Sequence, residues 1–226
     1  MSDDYYPCRL YLVSPQKFTL GVFAPKLEAA FAGGDVGAFQ LRLKEASDGE
    51  ITEAVRVLMP LAAASGAAFI LNDRVDLAAK LQCDGVHLGQ DDMKVAEARG
   101  MLHEGAVIGV SCHDSGHLAM EAGEAGADYV AFGAFYHTTS KSPEKLARYG
   151  TPTPELLSWW QTYTTLPSVA IGGITPENCG PLVTAGTDFI AAITSVWKHP
   201  HGPGAAVKEF NAAIKEGLKA RGAVAA

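Results

Sequence analysis

The fold is decided by two stretches of sequence, Ala68-Phe69-Ile70-Leu71-Asn72-Asp73 and Gly85-Val86-His87-Leu88-Gly89-Gln90-Asp91-Asp92, and by the amphipathic pattern between them. Each stretch begins with a short, mostly apolar run and ends in polar residues, which is typical of a buried strand leading into a loop. A strand, a helix and a second strand in this order predict two parallel strands joined by a right-handed crossover.

The same unit recurs along the whole chain of 226 residues. The eight apolar runs span 10–13, 38–41, 68–71, 85–88, 107–110, 129–132, 168–171 and 189–193. Helical patterns such as 51–64 and 118–125 lie between them. Thr153-Pro154-Glu155 and Thr175-Pro176-Glu177 each predict a helix that begins with an N-cap threonine and proline. Eight units at this length favour an α/β fold with parallel strands, a single (β/α)8 TIM barrel spanning 1–226, over an open sheet.

The composition narrows the class of protein. A formal net charge of -7 argues against nonspecific binding to nucleic acid, which needs a basic surface. The acidic N-terminus lacks the basic region of a secretory signal, and no apolar run approaches the roughly 20 residues of a membrane span. Four cysteines without metal-ligand spacing (Cys8, Cys83, Cys112 and Cys179) are typical of reduced thiols in a cytoplasmic protein.

In a (β/α)8 barrel the active site lies in the loops that follow the strands. The second strand leads into Gln40-Leu41-Arg42-Leu43-Lys44. Strand alternation places Gln40, Arg42 and Lys44 on one side and the two leucines on the other. Two cations and an amide at the barrel mouth suit a phosphate or diphosphate. The alternative is a solvated surface pair with Glu45.

Carboxylates follow the third and fourth strands. Asp73 and Asp92 would meet at the barrel mouth because adjacent parallel strands lie about 5 Å apart. One or two carboxylates, with water and substrate phosphates, form the usual Mg²⁺ site. The alternative is that both are helix N-caps, since each precedes a helical pattern.

The fifth strand leads into Ser111-Cys112-His113. Ser111 either donates to a phosphate oxygen or caps the next helix. Cys112 and His113 are sequence neighbours whose side chains point apart, which argues against a nucleophile–base pair. His87, inside the fourth strand, is predicted to be a hydrogen-bonded residue of the barrel interior.

Hydroxyl and glycine residues follow the last three strands. The loop after the sixth strand contains Thr138-Thr139-Ser140-Lys141, which either holds a phosphate or is an exposed loop. Gly172-Gly173 and Ile193-Thr194 follow the seventh and eighth strands, where barrels frequently bind phosphate through backbone N–H groups. A tight turn is the alternative explanation for the glycine pair.

Taken in order, these motifs resemble the thiamine phosphate synthase family over nearly the whole chain, from about Leu10 to the C-terminal helix. The matching stretches are 40–44, 72–73, 85–92, 109–111, 126–130, 138–141, 171–175 and 193–194. The resemblance implies condensation of a hydroxymethylpyrimidine diphosphate with a thiazole phosphate, which releases diphosphate and leaves thiamine phosphate. It also implies a dissociative step, in which diphosphate leaves before the thiazole nitrogen captures the pyrimidine methylene.

The resemblance also implies a role for each matching residue. The pyrimidine diphosphate would be held by Gln40, Leu41, Arg42, Leu43, Lys44, Asn72, Ser111 and Lys141. The thiazole phosphate would be held by Thr138, Thr139, Ser140, Gly173, Ile193 and Thr194, and Mg²⁺ by Asp73 and Asp92. Three positions depart from many relatives: Leu43 replaces Glu, Ser140 replaces Thr and Thr194 replaces Ser.

Two other functions remain open from the sequence. A thiazole tautomerase is a related barrel, but it needs no Mg²⁺–diphosphate site, so Asn72, Asp73, Asp92 and Lys141 argue against it. A noncatalytic barrel that binds phosphate ligands is the second alternative, and the full set of cations and carboxylates argues against that. We expect small phosphorylated substrates as partners, no nucleic acid and no membrane; a homo-oligomer is possible.

Overall fold

Parallel pairing links each strand to the next in chain order, and the last strand pairs with the first, so that the sheet closes into a barrel. The computed structural model describes residues 8–138 and 149–224. The strands are β1 (Arg9–Val13), β2 (Ala38–Leu41), β3 (Ala68–Asn72), β4 (Gly85–Leu88), β5 (Val107–His113), β6 (Tyr129–Phe132), β7 (Ser168–Ile171) and β8 (Phe189–Ala192). The predicted (β/α)8 barrel is confirmed.

Helices within the described residues follow the strands and surround the barrel. They are α1 (Leu20–Ala32), α2 (Asp48–Ser65), α3 (Val75–Leu81), α4 (Val95–Met101), α5 (Gly116–Glu124), α6 (Pro154–Tyr163), α7 (Gly180–Thr184), α8 (Thr194–Trp197) and α9 (Pro203–Val224). At the start of α2, Ser47 and Glu50 form a capping box. No helix in these described ranges is long and apolar enough to cross a membrane.

Two hydrophobic cores result from the period of two along each strand. The inner core fills the barrel and includes Tyr11, Val13 and Tyr129. The outer core lies between barrel and helices, and Leu10 and Leu12 belong to it. Alternate residues along a strand therefore belong to different cores, so the odd or even position of a residue in its strand (its parity) decides which core it joins. This alternation also decides which side chains reach the barrel mouth.

Three aspartates fix the strand register at the amino ends of the strands. Asp84, Asp128 and Asp188 each immediately precede an even-numbered strand. Their Oδ2 atoms accept hydrogen bonds from Phe69 N at 2.7 Å, Ile108 N at 2.7 Å and Ser168 N at 2.8 Å, in that order. These contacts satisfy backbone donors on the preceding strands and leave the opposite end of the barrel free for chemistry.

One predicted helix start is wrong. Pro154 does begin α6 after Thr153, as expected, but the matching Thr175-Pro176 motif does not begin a helix. Asn178 Oδ1 accepts from Thr175 N at 2.8 Å, and Asn178 N donates to Thr175 O. This local side-chain bond closes a turn, and α7 begins only at Gly180.

The cysteines and tryptophans have structural roles. All four cysteines are free and buried, as the sequence predicts. Burial raises the pKa of the Cys112 thiol to about 12, so it is protonated at neutral pH. Trp160 is buried and its Nε1 donates to Leu166 O at 2.7 Å, and Trp197 Nε1 donates to Val13 O at 2.7 Å.

Candidate active site

A cavity of about 660 Å³ opens at the carboxyl ends of the strands. Every strand, or the loop that follows it, contributes to its wall. The side formed by β2 to β5 is polar and charged. The side formed by β6 to β8 includes the apolar residues Ala131, Val169, Ile171, Ala191 and Ile193. The cavity therefore has an anion-compatible half beside a half that suits flat, weakly polar rings.

The segment after β2 presents its polar residues to the cavity. Gln40, Arg42 and Lys44 line the wall, whereas Leu41 and Leu43 pack into the outer core. The predicted alternation is confirmed, and the two leucine side chains do not reach the cavity. Burial lowers the pKa of the Arg42 guanidinium, and nearby Asp73 opposes that shift. Lys44 pairs with Asp73, not Glu45, which pairs with Lys17.

The carboxylates after β3 and β4 meet as predicted. Lys44 Nζ lies 3.3 Å from Asp73 Oδ2. Burial raises the pKa of the Asp73 carboxyl; Lys44 opposes the rise, and the adjacent Asp92 carboxyl adds to it. Two carboxylates in contact repel each other when both are ionised, so the pair favours a cation between or beside them.

Neither carboxylate is a helix N-cap, so that alternative is wrong. The N-cap of α3 is Arg74 and that of α4 is Lys94, and neither side chain makes a capping hydrogen bond to its helix. Asp73 has a left-handed backbone, with φ of 63°. Asp92 Oδ2 instead accepts from Gly89 N at 2.7 Å, which folds the loop after β4 back on itself. Both carboxylates line the cavity.

The two carboxylates and their surroundings fit a magnesium ion. Among the described residues no group of three or more His, Cys, Asp or Glu side chains is arranged to hold a metal. Mg²⁺ needs only one or two protein carboxylates when water and substrate phosphates complete its octahedron. The hard oxygen donors of Asp73 and Asp92 match that requirement.

A bulge at the end of β5 separates Ser111, Cys112 and His113. The β5–β6 register shifts between Ser111 and His113. Ser111 and His113 both line the cavity, whereas Cys112 lies in the outer core. This geometry is inconsistent with a Cys–His catalytic pair, as expected. The N-cap of α5 is Ser115, so the capping alternative for Ser111 is wrong.

Buried polar side chains form the floor of the cavity. His87 is buried, as predicted; its Nδ1 lies 3.0 Å from the Tyr129 hydroxyl and its Nε2 lies 2.8 Å from Ser111 Oγ. On the other side, Gln40 Nε2 donates to Asn72 Oδ1 at 2.7 Å. Gln40 and Asn72 are therefore held in fixed orientations beneath the charged groups.

The β7 and β8 loops bring Gly173 and Thr194 to the opposite side of the cavity. Ser195 Oγ donates to Ile174 O at 2.8 Å, which joins the start of α8 to the β7 loop. Thr194 is exposed at the first position of α8, and Ile193 is its N-cap. These residues lie across the mouth from Arg42 and the acidic pair.

The loop after β6 contains the remaining predicted residues. Thr138 lines the cavity. Thr139, Ser140 and Lys141 lie outside the described residues, so their assignment stays a prediction. The loop begins beside Gly172, whose carbonyl accepts from Tyr136 N at 3.0 Å.

Gly173 is required by backbone geometry. It has φ of 64°, and a Cβ there would lie 2.3 Å from His137 O. We therefore expect Gly173→Ala to destabilise the loops after β6 and β7 by roughly 1–3 kcal/mol. The melting temperature should fall by about 2–4 °C for each kcal/mol. The added methyl group would clash with protein backbone. The loss of stability is therefore expected whether or not a phosphate is bound.

The matched control for this prediction is Gly180→Ala. A Cβ at Gly180 meets nothing within 4 Å. Thermal denaturation should show an unchanged melting temperature for Gly180→Ala and a lower one for Gly173→Ala. Equal stability of the two variants would contradict the geometric role of Gly173.

Tyr11 and Tyr129 are two cavity residues of the barrel interior that no sequence motif indicated. Their parity was a usable signal, because Leu10 and Leu12 on one strand and Val130 on the other face the outer core. His113 and Tyr149 were also missed, and their rings stack at 3.5 Å between centroids. No local motif indicates that contact, which joins residues on different loops.

The fold and cavity define the class of the protein: a (β/α)8-barrel enzyme with its cavity at the carboxyl ends of the strands. A family model described as thiamine monophosphate synthase matches residues 10–196. The chain belongs to this family.

Individual relatives agree with that assignment. The chain is 55% identical to a thiamine-phosphate synthase of Rhodospirillum centenum, over 92% of this chain and 98% of the relative. It is 49% identical to a thiamine-phosphate synthase of Erythrobacter litoralis, over 87% and 92% of the two chains. A solved thiamine phosphate pyrophosphorylase of Pyrococcus furiosus superimposes with a TM-score of 0.80 at 31% identity, covering 93% and 96% of the chains.

Proposed function

We propose that the chain is a thiamine-phosphate synthase, a transferase that joins 4-amino-2-methyl-5-(diphosphooxymethyl)pyrimidine to 4-methyl-5-(2-phosphooxyethyl)thiazole. The observation that carries the proposal is the arrangement of one cavity. Arg42, Lys44 and the carboxylates Asp73 and Asp92 lie on one side, and Gly173 lies on the other. Two anionic substrates can therefore meet above the barrel centre.

The reaction breaks the bond between the pyrimidine methylene carbon and the diphosphate oxygen. The bonding electron pair leaves with the diphosphate, and the methylene becomes a cation. The thiazole nitrogen then donates its lone pair to form the new C–N bond. No protein nucleophile is needed, which agrees with the protonated, core-facing Cys112.

The chain's own cations stabilise the leaving group. Negative charge grows on the diphosphate as the C–O bond breaks, so Arg42 and Lys44 interact with it more strongly in the transition state than in the ground state. Lys141 would add a third cation. Asn72 and Gln40 would orient the pyrimidine end of the substrate from the cavity floor.

Asp73 and Asp92 would hold Mg²⁺, which supplies charge neutralisation to the diphosphate. The contact between the two carboxylates supports this assignment. Lys44 pairs with Asp73 and would lie next to the same diphosphate. These residues would also orient the diphosphate.

The thiazole phosphate would bind on the other side of the cavity. Backbone and hydroxyl donors would come from Thr138, Gly173, Ile193 and Thr194, which line the cavity. Thr139 and Ser140 would complete the set. Ile171 and Ile193 would contact the weakly polar rings. In this position the thiazole nitrogen would face the polar half, where the methylene cation would form.

The charged half also argues against the tautomerase alternative. A tautomerase acts on the thiazole phosphate alone and needs neither the acidic pair nor its cations. A noncatalytic barrel would have no use for two facing anion sites. Cytoplasmic location, a single domain over 1–226 and a possible homo-oligomer remain predictions.

Simultaneous occupancy of the two sites tests the proposal. The protein is saturated with Mg²⁺ and inorganic diphosphate, then titrated calorimetrically with the thiazole phosphate. We expect the thiazole phosphate to bind one-to-one without displacing diphosphate. Competition between the two ligands would mean a single anion site, which is incompatible with the proposed condensation.

Thr194→Val tests the thiazole-phosphate site. The substitution keeps the shape and removes the hydroxyl, and a hydrogen bond to a charged partner contributes roughly 1.5–3 kcal/mol. The dissociation constant of the thiazole phosphate should therefore rise about ten- to a hundredfold. Affinity for the pyrimidine diphosphate should barely change. Calorimetry with each ligand separately measures both quantities.

Thr52→Val, on the outer helix α2, is the matched control and should change neither affinity. A selective loss of pyrimidine-diphosphate affinity in Thr194→Val would show that the two sites are assigned the wrong way round. An unchanged thiazole-phosphate affinity would exclude the Thr194 hydroxyl as a ligand and leave only its backbone N–H.

A further inference from the structure

A continuous chain of hydrogen bonds crosses the barrel interior beneath the cavity. Besides the His87 contacts with Ser111 and Tyr129, the hydroxyls of Tyr129 and Tyr11 lie 2.9 Å apart. Tyr11 Oη lies 3.4 Å from Gln40 Oε1, and Gln40 Nε2 donates to Asn72 Oδ1 at 2.7 Å. Six side chains from six strands, β1 to β6, are thus linked in one line.

The direction of the whole chain follows from one end. Gln40 uses its amide N–H toward Asn72, so its Oε1 faces Tyr11 and can only accept. Burial raises the pKa of both tyrosine phenols, so each hydroxyl keeps one hydrogen. The Tyr11 hydroxyl donates its hydrogen to Gln40 Oε1, so it must accept a hydrogen bond from the Tyr129 hydroxyl. Tyr129 in turn must accept from His87 Nδ1–H.

Gly109 makes the central link possible. In the barrel register it pairs with His87 on one side and with Tyr129 on the other. A Cβ at Gly109 would lie 1.9 Å from the Tyr129 ring and 2.3 Å from its hydroxyl oxygen. The absent side chain therefore lets the Tyr129 phenol reach across β5 to His87.

We propose that this one-way chain makes His87 and Tyr129 positioning residues, which fix Ser111 as a hydrogen-bond acceptor and Asn72 as a donor toward the substrate. Ser111 donates its only hydrogen to His87 Nε2, so its lone pairs face the cavity. Asn72 accepts from Gln40 through Oδ1, so its NH₂ group is left to donate to a hydrogen-bond acceptor of the substrate. In this proposal Ser111 accepts from the substrate, which differs from the sequence expectation that Ser111 donates to a phosphate oxygen.

The donor-to-acceptor direction of the hydrogen-bond chain also determines which group of the substrate Ser111 recognises. This step rests on the proposed function. An acceptor at Ser111 fits an N–H donor, and the 4-amino group of the pyrimidine is such a donor. A phosphate oxygen carries no hydrogen to donate, so its lone pairs would repel those of the Ser111 hydroxyl oxygen. The chain thus distinguishes the amino end of the substrate from its diphosphate end.

The first test reads the His87 tautomer without any substrate. Long-range ¹H–¹⁵N correlation NMR of the whole protein distinguishes a protonated ring nitrogen from an unprotonated one. We expect His87 to carry hydrogen on Nδ1 alone. Hydrogen on Nε2, alone or with Nδ1, would overturn the proposal. This result does not depend on synthase activity, so it is separable from failure of the proposed function.

Variants test whether the tautomer is set by the chain. Tyr129→Phe removes the acceptor for His87 Nδ1–H, so the His87 signals should lose the single-tautomer pattern. Gly109→Ala should act in the same direction, because its methyl group displaces the Tyr129 ring. Tyr163→Phe and Gly100→Ala, both on outer helices, are matched controls that should leave the signals unchanged. An unaltered tautomer in both test variants would overturn the positioning role.

The last test measures binding of two probes to the wild type and to Ser111→Ala. The probes are the pyrimidine diphosphate and its analogue without the 4-amino group. A neutral hydrogen bond contributes modestly, so Ser111→Ala should raise the dissociation constant of the first probe roughly three- to tenfold. It should leave the second unchanged. An equal rise for both probes would show that Ser111 contacts the diphosphate and would overturn the proposal.

Discussion

Asp92→Asn is expected to lower kcat/KM for the pyrimidine diphosphate by roughly 100- to 1000-fold, the usual cost of removing one electrostatic contact to a charge-developing transition state. The physical reason is loss of one of two carboxylates that would hold Mg²⁺. Asn can still accept from Gly89 N through Oδ1, so the loop after β4 should keep its shape. The fold should therefore survive while the Mg²⁺ dependence changes.

The measurement is initial rate against Mg²⁺ concentration for the wild type, Asp92→Asn and Asp73→Asn. Asp76→Asn is the matched control, because Asp76 pairs with Arg74 at the start of α3 and does not line the cavity. It should have the wild-type Mg²⁺ dependence. The same dependence in both test variants would contradict the metal assignment.

Arg42→Met should also reduce the chemical step by roughly 100- to 1000-fold. Met keeps much of the length of the side chain and removes the charge that would stabilise the departing diphosphate. Arg42 is partly buried, and desolvation lowers its pKa, so bulk water screens its charge less than that of a surface cation. The single-turnover rate with both substrates bound measures this effect separately from product release.

Lys17→Met is the matched control for Arg42→Met. Lys17 is exposed and pairs with Glu45 outside the cavity. Its single-turnover rate should equal that of the wild type. If Arg42→Met changes only the affinity for thiazole phosphate, the diphosphate assignment of Arg42 is wrong. Lys141→Ala tests the same idea for the third predicted cation.

Strand parity explains why so much of this protein was predictable from its sequence. Each apolar run is too short to be a typical helix, and eight runs alternate with helical patterns. Once the barrel is recognised, parity alone places Gln40, Arg42 and Lys44 at the mouth and Leu41 outside it. The residues at the carboxyl end of each strand can then be assigned to the barrel mouth without knowledge of any long-range contact.

Other features depended on contacts that a local pattern does not encode. The β5 bulge shifts the register after Ser111, and the Asn178 side chain turns a predicted helix start into a turn. The helix caps of α3 and α4 fall one and two residues beyond the predicted carboxylates. The hydrogen-bond chain beneath the cavity joins residues far apart in sequence, so only the closed barrel reveals it.

The most direct test of the central claim is the reaction itself. Purified protein is incubated with both substrates and Mg²⁺, and thiamine phosphate and diphosphate are quantified together over time. We predict that both products form in equal amounts, that either substrate alone gives no thiamine phosphate, and that Arg42→Met greatly slows their formation. Isomerisation of the thiazole phosphate alone, or binding of both substrates without any product, would contradict the synthase assignment.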